Sequence, residues 1–233
     1  VLQRRVKDYM GLYQDLDVEN IISYDPEKSW NFEVGSHFST ADARFRGDVA
    51  LFWIECFDQQ LTVFPEGQTT GRMMTNAGRT RSFGCEASFV AELTKGLNLS
   101  GAYGYTNARF RKFSNGGVDY AGNVIPYAPQ NTLSLRLGYT IDVKSSWLEH
   151  ITLSASGYGA GRIYWNEDNS ISQPFYATLD GTVRFDSSVW SVDVWVKNAT
   201  NTRYDLFYFE SMGNSFLQRA KCVTFGVRVA LSL

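Results

Sequence analysis

From Val223 to Leu233 every second residue is apolar: Val223, Phe225, Val227, Val229, Leu231 and Leu233. Thr224, Gly226, Arg228, Ala230 and Ser232 lie between them. This period of two predicts a strand with one apolar and one wet face. The same pattern recurs upstream. Leu97, Leu99, Gly101, Tyr103 and Tyr105 alternate with Asn98, Ser100, Ala102, Gly104 and Thr106. Leu133, Leu135, Leu137, Tyr139 and Ile141 alternate with small polar residues and Arg136. Phe175, Ala177, Leu179, Val183 and Phe185 share a parity, as do Trp190, Val192, Val194 and Val196. Segments 43–54, 82–93 and 150–158 repeat the pattern less cleanly, and Trp30, Phe32, Val34 and Phe38 add a further strand. Nine long strands are predicted: 30–38, 43–57, 81–93, 97–110, 131–142, 150–162, 174–186, 189–198 and 217–233.

The connections have a regularity of their own. Residues 39–42, 94–96, 142–149 and 186–188 are short links, whereas 58–78, 112–129, 163–173, 200–216 and 1–29 are long, so every second connection is a large loop. Tight turns at one end and long loops at the other are the pattern of an outer-membrane β-barrel. A two-sheet soluble sandwich explains the alternation. It explains neither the one-sided loop lengths nor strands longer than the usual globular five or six residues, about.

Composition narrows the reading. Tyr 13, Phe 16 and Trp 6 in 233 residues make an aromatic-rich chain, as barrels with aromatic girdles require. Tyr105, Tyr139, Trp190 and Phe175 occupy strand-end positions that suit such girdles. No run of about 18 apolar residues occurs, so no stretch reads as a membrane helix. The net charge of −2 gives no electrostatic footprint for nucleic acid. Cys56, Cys85 and Cys222 show no metal spacing and read as small apolar residues of strands.

The polar parity holds the charges Glu86, Arg136, Asp180, Arg184, Asp193, Lys197 and Arg228, which are expected to face the lumen. On the lipid side near the midplane each would cost about 2–4 kcal/mol. His37 and His150 fall beside short turns and read as polar residues at the membrane edge. No nucleophile–base pair, phosphate loop or metal cluster stands out. Candidate ligand contacts come from the long loops and upper strands: Arg111, Tyr120, Tyr127, Arg162, Tyr164, Trp165, Tyr208 and Arg219. Arginine suits an anionic chelate, and the aromatic rings suit a sugar or catecholate. The expected domain organisation is a loop over 1–29 followed by a single set of barrel strands over 30–233. Val1-Leu2-Gln3-Arg4-Arg5 reads as the middle of a loop, and bacterial single-chain barrels use even strand numbers. A C-terminal piece of a larger barrel is therefore expected.

Several short motifs carry a family resemblance. They are Asp25-Pro26-Glu27-Lys28-Ser29-Trp30 with Glu33-Val34-Gly35, Asn76-Ala77-Gly78 with Gly84-Cys85-Glu86, and Ile125-Pro126-Tyr127-Ala128-Pro129. Gln173-Pro174-Phe175-Tyr176 and Asn198-Ala199-Thr200-Asn201-Thr202-Arg203-Tyr204 complete the set. In order and spacing they resemble the C-terminal part of the barrel of a TonB-dependent outer-membrane receptor. Leu233 stands where that family usually ends in an aromatic residue, and Gln218-Arg219 where Gly-Arg is usual.

The resemblance implies an all-β transmembrane antiparallel barrel of the type with about 22 strands and a plugged lumen. It implies a Gram-negative outer-membrane receptor for active uptake of a scarce nutrient, foremost a ferric siderophore, otherwise haem, cobalamin or a glycan. It further implies TonB and the protein's own plug domain as partners, barrel-assembly machinery reading the last strand, membrane lipid around the wall, no enzyme activity and no cofactor. The competing readings are a stand-alone small barrel, porin-like or hydrolytic, and a soluble β-sandwich adhesin.

Overall fold

The computed structural model describes residues 26–63, 73–76, 78–211 and 213–231. The expected loop over 1–29 lies mostly outside the described residues, as do Asp25 and Ala77 of the quoted motifs and the terminal Ser232 and Leu233. All regular structure is β. Nine long strands carry the fold: β1 (Lys28–Ser39), β2 (Phe45–Phe57), β3 (Arg79–Thr94), β4 (Leu97–Lys112), β5 (Asn131–Asp142), β6 (His150–Ala160), β7 (Tyr176–Asp186), β8 (Trp190–Lys197) and β9 (Thr224–Leu231). They form one antiparallel sheet in sequence order, each strand hydrogen-bonded to its chain neighbours. That is a pure meander, the arrangement of an up-and-down barrel wall.

Register makes the alternation physical. Trp30 pairs with Glu55, Phe32 with Trp53, and Val34 with Leu51. Leu51 in turn meets Cys85, and Trp53 meets Phe83. Tyr103 pairs with Leu133 and Leu99 with Leu137, Leu137 with Ala155, and Ala155 with Gly181. Val183 pairs with Val194 and Val194 with Val227. Directly paired residues share a face, so one apolar face runs unbroken across all nine strands. Its side chains are exposed: Phe225 is 82% accessible, Leu231 72% and Val34 68%. Such a surface is far beyond a scattered apolar residue and requires an apolar medium or partner.

Short turns gather at one end. Gly96 holds φ +80 in the Thr94–Leu97 turn, where an added Cβ would lie 2.4 Å from the Thr140 carbonyl oxygen. At that end Trp147 and Trp190 stack at 6.4 Å. Near the long-loop end Trp30 stacks with Phe32 at 6.4 Å and Trp53 with Phe83 at 5.6 Å. Aromatic rings thus edge the apolar face at both ends, as interfacial girdles do.

The structure departs from the sequence reading in the loops and at the last strand. Residues 217–233 are not one strand. Asn214–Arg219 pairs with Asp205–Ser211 as a separate hairpin, and β9 begins only at Thr224. Cys222 consequently lies between strands rather than in one, and is exposed. The long connections carry further pairing, with Gln60–Val63 against Met73–Asn76, Ser114–Asn115 against Val118–Asp119, and Ile163–Tyr164 against Ser172–Gln173.

Candidate functional site

Apart from the apolar face, the only place where side chains close into a packed cluster among the described residues is the long-loop end. Phe110 is fully buried and Phe113 nearly so, with Leu61, Tyr120 and Ile125 around them. The Phe110 and Phe113 rings lie 4.8 Å apart and Tyr120 stands 5.5 Å from Phe113. Burial, reinforced by the Glu167 and Asp168 carboxylates, raises the Tyr120 phenol above its ordinary value. Tyr120 is therefore a neutral packing residue at any physiological pH.

The loops are tied to one another through backbone groups. Asn169 accepts from the Val124 N–H at 2.7 Å through Oδ1 and donates to the Val124 carbonyl at 2.9 Å through Nδ2. A left-handed φ of 59° at Asn169 makes this double bond possible, and Asn tolerates that conformation better than most residues. Asn123 donates to the Glu167 carbonyl at 2.8 Å. The Tyr127 N–H donates to the Tyr164 carbonyl at 2.8 Å, and the Tyr127 hydroxyl reaches the Tyr208 carbonyl, also at 2.8 Å. Gln173 accepts from the Asp205 N–H at 2.8 Å. Three loops far apart in the chain are thereby locked together.

Tyr127, Trp165 and Tyr208, three of the eight candidate contacts, converge here. The Tyr127 ring lies 5.4 Å from Trp165 and 5.6 Å from Phe207. Trp165 and Tyr208 are buried, whereas Tyr127 is 47% accessible. The Tyr208 hydroxyl meets Glu210 Oε1 at 2.7 Å and Ser215 Oγ at 2.9 Å. Tyr127 adopts φ 63°, rare for a residue with a Cβ, and such strain concentrates where geometry matters for function. Tyr164 is half-buried beside them, and Arg162 is exposed one residue past Gly161, whose N–H holds the Asn131 carbonyl. Arg219 is exposed and pairs loosely with Asp205 at 3.9 Å. The structure does not bring Arg111 to this cluster. Arg111 lies on β4, in a one-residue register shift beside Arg79 and Lys112.

The other seven candidates stand together on the polar face. Register pairs Glu86 with Ala50 and Gly104, Arg136 with Ser100 and Ser156, and Asp193 with Arg184 and Arg228. Arg184 bonds Asp186 at 2.8 Å and lies 3.7 Å from Asp193. Asp193 Oδ1 is buried with no hydrogen bond. Asp180 accepts from the Asn198 N–H at 2.8 Å and so anchors the start of the last long loop. The Lys197 ammonium sits 5.8 Å over the Trp195 ring. His37 pairs with Asp48, and His150 with Asp142 at 3.1 Å, both at the short-turn end.

The sequence reading missed the charges of the other face. Arg79 and Arg81 share the parity of Phe83, and both bind Glu55, Arg79 at 2.8 Å and Arg81 in closer contact. The signal was present: the Arg residues continue the alternation of Phe83 and Phe89 beyond the point where the apolar run stops.

Comparison with known proteins gives this arrangement a context. Residues 8–199 match the family described as TonB dependent receptor-like, beta-barrel. The chain is 24% identical over 209 residues to the pesticin receptor of Yersinia pestis, covering 88% of this chain and 29% of that protein. It is 28% identical over 191 residues to the ferrioxamine B receptor of Salmonella typhimurium, covering 80% and 26%. In fold it is similar to the ferric yersiniabactin uptake receptor FyuA of Yersinia pestis, with a TM-score of 0.72 at 22% identity, over 87% of this chain and 29% of that one. The siderophore receptor PiuA of Acinetobacter baumannii gives a TM-score of 0.70 at 21% identity, over 90% and 29%. The chain thus spans less than a third of the length of these relatives.

Proposed function

Because the chain belongs to the TonB-dependent receptor β-barrel family, we propose that it supplies the C-terminal wall and outer loops of an outer-membrane receptor for active uptake of a siderophore-type metal chelate. The observation that carries this reading is the unbroken apolar face across nine meandering strands, with the long connections packed together at one end. Chelate uptake is supported by the relatives, whose names include receptors for ferrioxamine B and for a metal–pseudopaline complex.

In this reading the apolar face meets lipid and the polar face lines the lumen. Glu86, Arg136, Asp180, Arg184, Asp193, Lys197 and Arg228 then meet lumen water or the protein's own plug domain. The buried, unbonded Asp193 Oδ1 suits a donor from such a plug. Energy for uptake comes through TonB acting on that plug rather than from a reaction in this chain, and the last strand serves barrel assembly. Arg162, Tyr164 and the exposed ring of Tyr127 are the ligand-facing groups. Arginine pairs with an anionic chelate and tyrosine stacks on its planar donors. Tyr120, Trp165 and Tyr208 hold the loop frame behind them.

The test is uptake of radiolabelled ferric complexes of a hydroxamate, a catecholate and a phenolate siderophore. Cells would express the full-length protein, with and without TonB. TonB-dependent accumulation of one class is expected, weakened by Arg162→Ala. Accumulation of none, or accumulation indifferent to TonB, overturns the reading.

A further inference from the structure

The hairpin of Asp205–Ser211 with Asn214–Arg219 has two unlike faces. Register sets Phe207 beside Gln218 and Phe209 beside Phe216 on one face, and Tyr208 beside Leu217 and Glu210 beside Ser215 on the other. Glu210 belongs to the second face, and Asp205 and Arg219 pair at the base. The first face therefore carries no charge among the described strand residues. It is aromatic, and it continues into the neighbouring loops. Phe216 stacks on Phe209 at 4.9 Å, Phe209 meets Phe207 at 5.7 Å, Phe207 stacks on Tyr127 at 5.6 Å, and Tyr127 meets Trp165 at 5.4 Å. Each spacing falls within the range of about 4.5–7 Å for paired rings. Trp165, Tyr127, Phe207, Phe209 and Phe216 thus form one continuous ladder across three loops. Trp165 is its buried end, while Tyr127, Phe207 and Phe216 are exposed.

Hydrogen bonds hold the ladder in place. The Tyr127 hydroxyl bonds the Tyr208 carbonyl, Gln173 accepts from the Asp205 N–H, and the Ala220 N–H donates to the Tyr204 carbonyl at 2.9 Å. A platform that is already ordered loses little freedom on binding. The hairpin lies in the connection between β8 and β9, outside the nine-stranded sheet, so lipid around the wall does not account for its exposed rings. The chemistry of the face limits what covers them. It offers no cation to an anion, and Gln218 is the polar residue that register sets among the rings. A glycan brings hydroxyls, and a hydroxamate chelate amide groups, that lose water against such a face without gaining partners. The face of an aryl ring brings none, and it stacks on rings at the spacing they already hold.

We propose that this ladder is the stacking platform for the aryl rings of a catecholate or phenolate metal chelate, and that it selects aromatic chelates over hydroxamates. The proposal rests on the receptor reading above. Tyr127, whose N–H holds the Tyr164 carbonyl, is the rung shared with the other ligand-facing groups. Arg162, off the ladder, meets the charge of the chelate.

The experiment uses the full-length protein in detergent, with heat-modifiable gel migration as the sign that the barrel has formed. Calorimetric titration measures binding of the ferric complexes of a phenolate, a catecholate and a hydroxamate siderophore, and of a neutral oligosaccharide. One of the two aryl chelates is expected to bind more tightly than the hydroxamate and the oligosaccharide, by about tenfold or more. The double variant Phe207→Leu with Phe216→Leu keeps the face apolar and removes two rings. It is expected to weaken the aryl chelate by about tenfold, while Leu217→Ala on the opposite face changes nothing. A hydroxamate that binds as tightly as the aryl chelates overturns the proposal and leaves the receptor reading standing. Unchanged affinity in the double variant, or an equal loss in Leu217→Ala, does the same. A formed barrel that binds none of the three chelates, with or without the oligosaccharide, overturns the receptor reading and the proposal with it.

Discussion

The two faces of this sheet are made by the same strands, yet they treat charge in opposite ways. On the polar face charges stand at every height, from His37 and Asp142 by the short turns to Asp180 beside the long loops. On the apolar face charge is confined to one end and to one half of the sheet. The strands alternate residue by residue, so the difference cannot come from local backbone preference. In the proposed receptor it reflects the medium each face meets. Water tolerates a charge anywhere, whereas hydrocarbon tolerates it only at the border.

The largest effect should come from breaking that rule at mid-height. Leu135→Arg places a guanidinium in the middle of the apolar face, where Leu135 pairs with Gly101 and Gly157. A loss of about 2–4 kcal/mol is expected in lipid-reconstituted full-length protein. Ser134→Arg, one residue away on the other face, is expected to cost under about 0.5 kcal/mol. Denaturant unfolding of both variants in the same bilayer measures the contrast. Equal costs would mean that the two faces see the same medium.

A smaller effect is expected where the apolar face does carry charge. Glu55→Gln removes the carboxylate that both Arg79 and Arg81 bond. Because Arg79 is partly exposed and screened, the loss is set at about 1–3 kcal/mol, the range for losing a charge-assisted pair. Glu86→Gln, on the exposed polar face of the neighbouring strand, is expected to be nearly silent. If both variants unfold at the same denaturant concentration, the Glu55 cluster adds nothing to stability.

These contrasts also mark how far the chain was legible as a sequence. The alternation of Leu133 to Ile141 and of Trp190 to Val196 locates its strands within a residue or two, because one apolar and one polar medium write a period of two directly into the residues. The parity of Arg136, Arg184 and Arg228 was legible for the same reason. The hairpin of Asp205–Ser211 with Asn214–Arg219 was not. The run Phe207, Phe209 and Phe216, Leu217 packs within a loop, where no uniform medium enforces alternation. The convergence of Tyr127 with Trp165 and Tyr208 was equally hidden, since residues 38 to 81 apart meet through the carbonyl of Tyr208 and the ring of Trp165. Arg79, Arg111 and Lys112 went unread because they fall outside the strands expected over 81–93 and 97–110, whereas Arg81 and Arg109 lay inside those bounds. The hydrogen-bonded strands run on to Arg79 and Lys112.

At the loop end, where the faces give way to packed connections, the relevant currency is the backbone hydrogen bond. Asn169→Ala deletes both bonds to Val124 and leaves the N–H and carbonyl of this buried residue without those partners, which should loosen the loop by about 1–3 kcal/mol. Hydrogen exchange is expected to speed up at residues 122–130 and 166–170 and to remain unchanged in β5 and β6. Unchanged exchange at Val124 would show that the clamp does not hold the loop.

The smallest expected effect lies at the opposite end, in the turn between β1 and β2, outside the membrane-spanning stretch. The Thr40 hydroxyl donates to Asp42 Oδ1 at 2.6 Å, and the Arg44 N–H adds a longer bond at 3.2 Å. Together they hold the fully exposed Asp42 carboxyl below its ordinary value of 3.8. A carboxyl depressed in the folded state binds its proton more weakly there than in the unfolded chain. Its contribution is therefore present above the ordinary value and is lost as pH falls through the lower folded value. Thr40→Ala should move the Asp42 titration up toward 3.8 by NMR. The unfolding midpoints of variant and parent should differ slightly at neutral pH and draw together in acid. At this site the chain is surrounded by water on all sides, so neither face's medium amplifies the bond. A change here as large as that of Glu55→Gln would mean that the short turns are not the solvated end of the sheet.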